Sequence, residues 1–140
     1  MNELYQRLGH TTYTRLFGVL LCDNGSEFSH PSALEFASEG HRRSHLFYCD
    51  PGAPYQKGGC ERNHEFIRMI LPKGTDFDPW SQDDFNLILD HINAYPRKRL
   101  NDRSPANLFS QLESPQLLAI LGVSFIAPNA INLTPSLLKK

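Results

Sequence analysis

Residues 16–28 read LFGVLLCDNGSEF, and the fold turns on how the aspartate in this stretch is held. LFGVLL is short, almost wholly apolar and without helical spacing, so the segment TRLFGVLLCD reads as a buried strand. Asp23 then stands at the carboxyl end of that strand, and Asn24-Gly25 follows at once. Such a pair marks either a hairpin corner or a loop that holds a carboxylate out at the rim of a sheet. The segment that follows separates the two. SHPSALEFASEG offers Ser29 as N-cap, an early Pro31 and a closing Gly40, which predicts a short helix. SHLFYCD then predicts a second short strand that ends at Asp50. Strand, helix, strand is the order of a parallel or mixed sheet in an α/β fold, and such sheets carry their chemistry at the carboxyl ends of their strands.

Upstream, NELYQRL at 2–8 predicts one or two helical turns closed by Gly9. From Gly58 onward the pattern is helical. GGCERNHEFIRMIL puts Phe66, Ile67 and Ile70 on one side and stops at Pro72. Ser81 and Asp84 form a capping-box pattern before FNLILDHINAY, which Pro96 ends. SPANLF and SPQLLAILG each place Ser at the N-cap and Pro at the first helical position, and Gly122 closes the second. The reading therefore puts strands near 17–23 and 45–49, and helices over about 59–71, 82–94 and 105–112. It leaves 123–140 without an assignment.

The 140 residues, 40% hydrophobic and 21% charged, suffice for one ordinary core. Fourteen Lys and Arg against fifteen Asp and Glu give a net charge of −1, so no general attraction to nucleic acid or anionic membrane exists, and a local patch must do that work. No apolar stretch nears the roughly 20 residues that span a bilayer, and the amino terminus lacks the apolar core of a signal peptide; a cytoplasmic chain with no membrane partner is expected. Three cysteines without a secretory signal are expected to be free thiols.

Glu61 opens the helix that follows the second strand. Two carboxylates from different elements meeting on one rim would suit hard divalent cations, which take oxygen ligands and leave positions for phosphate and water. By itself, however, DNG is a common turn, and a single Glu on a helix is commonly a solvated face.

The longer string is more specific. CDNGSEF, PGAPYQKGGCERNHEFIR, LPKGTDF and HINAYPRKRLNDRSPANLF, in this order and at these spacings, resemble the second half of the catalytic core of bacterial insertion-sequence transposases of the DDE group, IS30 type, over about residues 15–110. The resemblance implies an incomplete ribonuclease-H-like, integrase-core α/β domain over 1–112, two core strands followed by a mostly helical half, with 113–140 as a helical and irregular extension. It implies metal-dependent DNA cleavage and strand transfer in the complete protein, with Asp23 and Glu61 as two of three catalytic ligands for Mg²⁺ or Mn²⁺. Residues 1–22 contain no aspartate to serve as the first ligand. The expectation is thus a piece of a transposase that binds metal weakly and is inactive alone; the alternative is a non-catalytic DNA-binding or transposase-pairing module.

Around these carboxylates, Lys57, Arg62 and Arg68 are candidates for DNA phosphate. Glu61, Glu65 and Arg68 share one helix face, so a plain salt bridge is the other reading of Arg68. Arg97, Lys98 and Arg99 in PRKRL make the one dense basic cluster, read either as a DNA contact or as a solvated loop between helices. Cys60 and His64, four apart, and Cys22 and Cys49 at strand ends raise zinc, though their spacing matches no familiar finger and small buried thiols are common. Trp80 reads as a hydrophobic staple before the Ser81 cap rather than a base platform. The missing strand neighbours predict an open edge at residues 16–22 and hence a homodimer or higher oligomer.

Overall fold

A computed structural model describes residues 1–138, and at Pro54 and Lys57 the backbone alone. The chain divides into two compact units, Met1–Gly58 and Gly59–Lys140.

The first unit is α/β. Helix α1 (Asn2–Phe17) leads into strand β1 (Val19–Cys22), helix α2 (Pro31–Glu35) and strand β2 (His45–Tyr48). The strands pair in parallel, Val19 with His45 through Cys22 with Tyr48, as the strand–helix–strand order predicts. Helix α1 corrects the reading of the amino terminus. Gly9, at φ 72° and ψ 161°, leaves helical geometry and closes the first turns at a kink, as expected, but the helix resumes beyond it, and TRLF is helical instead of forming the start of the strand. The reason is tertiary. Tyr13 is fully buried, with its ring 5.2 Å from those of both Tyr5 and Phe17, and this aromatic stack holds the second half of the helix in place.

Arg43 supplies the other half of that packing. It is buried, yet its guanidinium donates to the carbonyls of Leu34 (3.0 Å) and Ala33 (2.7 Å) and to Asn2 Oδ1 (2.7 Å), and it lies 5.5 Å from the Tyr5 ring centre. The carbonyls left open at the end of α2 are thus satisfied by a cation that also anchors α1. Ser29 does not cap α2: His30 occupies the N-cap without a side-chain bond, and the helix ends at Glu35, well before Gly40. Phe36 instead bridges Arg42, and the Glu35 carboxylate accepts from the Leu46 amide of β2 (3.0 Å).

Strand β1 is not wholly buried. Cys22 is covered, but Val19 is 68% and Leu21 46% exposed, and Phe47 on β2 is 55% exposed. Alternate residues point to opposite faces, so one face of this two-stranded sheet is apolar and open.

The second unit is helical. Helices α3 (Gly58–Ile70), α4 (Gln82–Ala94), α5 (Pro105–Leu112) and α6 (Pro115–Ile120) fall within two residues of their predicted positions. Phe66 and Ile70 on α3, Ile88 and Ile92 on α4, Leu71 and Leu138 form its core, with Trp80 and Phe85 packed against it. Each such side chain taken from water contributes about 1.5–3 kcal/mol. The caps are those the sequence specifies. Asp84 Oδ2 accepts from the Ser81 amide (2.9 Å) while Ser81 Oγ accepts from the Asp84 amide, and the Ser104 and Ser114 hydroxyls cap α5 and α6 by accepting from the Asn107 and Leu117 amides. Gly122, at φ 75°, lets the Gly122 amide reach Ala119 and the Val123 amide reach Leu118, a Schellman ending. The tail beyond is tied down. Asp90 Oδ1 accepts from the Ser124 amide (2.8 Å) and His91 Nδ1 from the Asn132 amide (3.0 Å).

Candidate functional site

The first unit presents a polar rim where its two parallel strands end. The Cys49 amide donates to the Cys22 carbonyl (2.8 Å), so the ladder runs to the end of both strands. Asp23 follows β1 directly and is exposed; its Oδ1 accepts from the Gly25 amide (3.3 Å), an Asx turn. The Asn24 side chain donates to the Cys49 carbonyl (3.2 Å), latching the loop after β1 to the end of β2. The Asn-Gly pair is therefore a rim loop and not a hairpin corner. Asp50 lies just past β2 and is clasped by Gln56, which accepts from its amide and donates to its carboxylate, both at 2.9 Å. Two exposed carboxylates thus follow the ends of adjacent parallel strands.

Glu61 belongs to the second unit, in the first turn of α3, and is exposed. Asp23 and Glu61 are carboxylates of the kind that hold hard cations. Among the described residues no group of three or more His, Cys, Asp or Glu side chains is arranged to hold a metal ion. The thiols of Cys22 and Cys49 are buried in the first unit, whereas Cys60 is exposed in the second. Cys60 and His64 line a shallow groove between α3 and α4, together with Asn63, Ile67 and Asn93.

On α3, Glu65 takes Arg62 as its ion-pair partner (2.5 Å), and among the described residues none joins Arg68 to Glu61 or Glu65. Arg68 stays exposed in the last turn. The Lys57 side chain lies outside the described residues. The PRKRL cluster divides. Arg97 pairs with Arg103 as an antiparallel bridge, and Asn101 and Asp102 both take left-handed φ to close the turn between them. Lys98 and Arg99 are exposed. Arg97 instead folds inward: its guanidinium lies 5.1 Å from the Phe66 ring centre and donates to Asn63 Oδ1 (2.9 Å). Burial, and then the like charge of Arg62, push the Arg97 pKa down. Sequence reasoning gave no role to Asp50's clasp, to Arg43, or to Asp90 and His91. The only available signal was a charged or polar residue inside an apolar pattern.

The chain is 39% identical over 94 residues to the transposase for insertion sequence element IS1086 of Cupriavidus metallidurans, a match covering 67% of this chain and 26% of that protein. It is 29% identical over 97 residues to the transposase for insertion sequence element IS4351 of Bacteroides fragilis, covering 69% and 28%. It is 30% identical over 66 residues to transposase InsI for insertion sequence element IS30A of Escherichia coli, covering 47% and 17%. Neither a family model nor a solved structure matches. By this likeness the chain belongs with the insertion-sequence transposases and corresponds to part of one. Its relatives include the IS30 type, and it spans little more than a quarter of the length of the IS1086 and IS4351 transposases. No helix among the described residues is long and apolar enough to cross a membrane.

Proposed function

We propose that the chain is part of the catalytic core of a DDE transposase, a cytoplasmic DNA-recombining enzyme, and that it supplies two of the three carboxylates of an incomplete ribonuclease-H-like domain. The observation that carries this reading is Asp23 at the carboxyl end of one of two parallel strands, in a chain similar over two thirds of its length to an insertion-sequence transposase. In the complete protein, Asp23 and Glu61 would hold Mg²⁺ or Mn²⁺. A bound divalent cation there supplies charge neutralisation for displacement at phosphorus. The donors in this chain suit such an ion in kind and fall short in number, so no chemical step is assigned to the chain alone. Basic side chains on α3 and in the 97–99 cluster would meet the DNA backbone. The open edge and exposed apolar face of β1 favour a second copy as partner, because free strand groups beside apolar side chains are a template for pairing.

The test has two arms. Paramagnetic broadening by Mn²⁺ should fall on Asp23 and Glu61 and disappear in the Asp23→Ala, Glu61→Ala double variant. The chain with DNA and Mg²⁺ should neither cut nor join strands. Metal-dependent strand transfer by the chain alone, abolished by Glu61→Gln, would overturn the reading of it as incomplete and direct attention to Asp50 as the third ligand.

A further inference from the structure

Two arginines from different elements converge on one buried ring. Phe66 is 3% exposed; the Arg62 guanidinium carbon lies 5.2 Å from its centre and that of Arg97 lies 5.1 Å from it. The two cations are therefore no more than about 10 Å apart, roughly one Debye length at physiological salt, where like charges still repel. Tyr95 packs 5.3 Å from the same ring and the Arg97 side chain donates to Asn63, so Arg97 is held in place rather than left free to swing away from Arg62.

The local accounting leaves positive charge uncompensated. Arg97 bonds to Asn63 Oδ1 and to the Ile92 carbonyl (3.4 Å), both neutral, and its Nε is buried without a partner. Of the five N–H groups of a guanidinium, two are thereby used. No carboxylate pairs with Arg97 among the described residues. Arg62 does meet Glu65, but the two side chains are 60% and 53% exposed, and an ion pair so open to water contributes at most about 1 kcal/mol. A group with several anionic oxygens would accept from the N–H edges of both guanidinium groups at once and relieve their repulsion, and planar guanidinium forks match phosphate oxygens. The buried Phe66 ring cannot stack on a base, so it offers no platform for a nucleobase.

We propose that Arg62 and Arg97, laid on Phe66, form a clamp for one phosphate of the DNA backbone. This rests on the reading that the chain meets DNA. It is distinct from the contacts of Lys98 and Arg99, which have no such support beneath them.

The experiment measures binding of the chain to a random-sequence duplex by fluorescence anisotropy between roughly 50 and 200 mM salt, where each phosphate contact steepens the logarithmic salt dependence by about 0.9. Arg62→Gln and Arg97→Gln should each lower that slope by about 0.9, and the double variant by the same amount and not twice it, because one phosphate is lost in all three. Arg97→Lys should restore the slope even where Arg97→Gln loosens the packing on Phe66, and Arg7→Gln on α1 should leave it unchanged. Unaltered slopes in both single variants, or a double loss in the double variant, overturn the clamp. If the chain binds no duplex at any salt, the DNA reading fails separately. Inorganic phosphate, titrated while the Nε–H signals of Arg62 and Arg97 are followed by NMR, then decides the clamp: both signals shifting sustains it as a phosphate site, and neither shifting overturns it.

Discussion

His91→Phe tests how the second unit holds its irregular tail. His91 is 6% exposed and its Nδ1 accepts from the Asn132 amide at 3.0 Å, so that nitrogen must carry a lone pair. Phenylalanine preserves the ring and its packing while removing the acceptor. Asn132 is only half-buried, and water can reach its stranded amide, so the loss is that of one net hydrogen bond, about 1 kcal/mol, rather than a full desolvation penalty. For a unit of this size that is a fall in melting temperature of about 4–8 °C. Acid should act on the same bond. Burial holds the His91 pKa below its ordinary 6.5, against the opposing charge of Asp90. The folded state therefore resists protonation more than the unfolded one, so the unfolded state binds more protons in acid. The stability that neutral His91 contributes is complete above pH 6.5 and is lost as pH falls from there through the lower folded value. Thermal melts by circular dichroism at pH 7.5, 6.5 and 5.5, with amide exchange at Asn132, should show a decline in the wild-type chain that His91→Phe lacks. Equal acid sensitivity in both proteins, or an Asn132 amide that exchanges no faster in the variant, would refute the reasoning.

Three further outcomes follow from the packing. Ser81→Ala removes the acceptor for the Asp84 amide and should cost about 1 kcal/mol in urea unfolding of the second unit, whereas Gln82→Ala beside it should cost much less. Arg43→Ala strips the donors from Ala33, Leu34 and Asn2 and should destabilise the first unit by roughly 2–4 kcal/mol, with accelerated amide exchange along α1; a melt within 1 °C of wild type would contradict the anchoring role given to Arg43. Val19→Lys places a charge on the exposed face of β1 and should reduce light-scattering mass from dimer towards monomer at micromolar concentration; a wild-type chain that is already monomeric would remove the case for a second copy at this edge.

The reading of this protein divides by the distance over which each feature is specified. The limits of the later helices of the second unit were legible in the sequence because they are written within four residues: Ser81 with Asp84, Ser104 with Pro105, Ser114 with Pro115, and the positive φ that Gly122 permits. The parallel pairing of β1 and β2 followed from the order of elements, and the position of Asp23 at a strand end from the turn chemistry after it. Other features depend on contacts across longer separations and were not legible. Helix α1 runs to Phe17 because Tyr5, Tyr13 and the distant Arg43 pack together, and this tertiary stack overrides an apolar run that by itself favours a strand. Half of β1 is exposed because no further layer among the described residues covers that face, something an apolar run cannot report about itself. PRKRL reads as one basic patch, but only tertiary structure separates Arg97, drawn onto Phe66, from Lys98 and Arg99 in water. Asp90 and His91 look like polar residues on a helix until Ser124 and Asn132 return to them, since hydrogen bonds between remote backbone and side chain leave no periodic mark in a sequence.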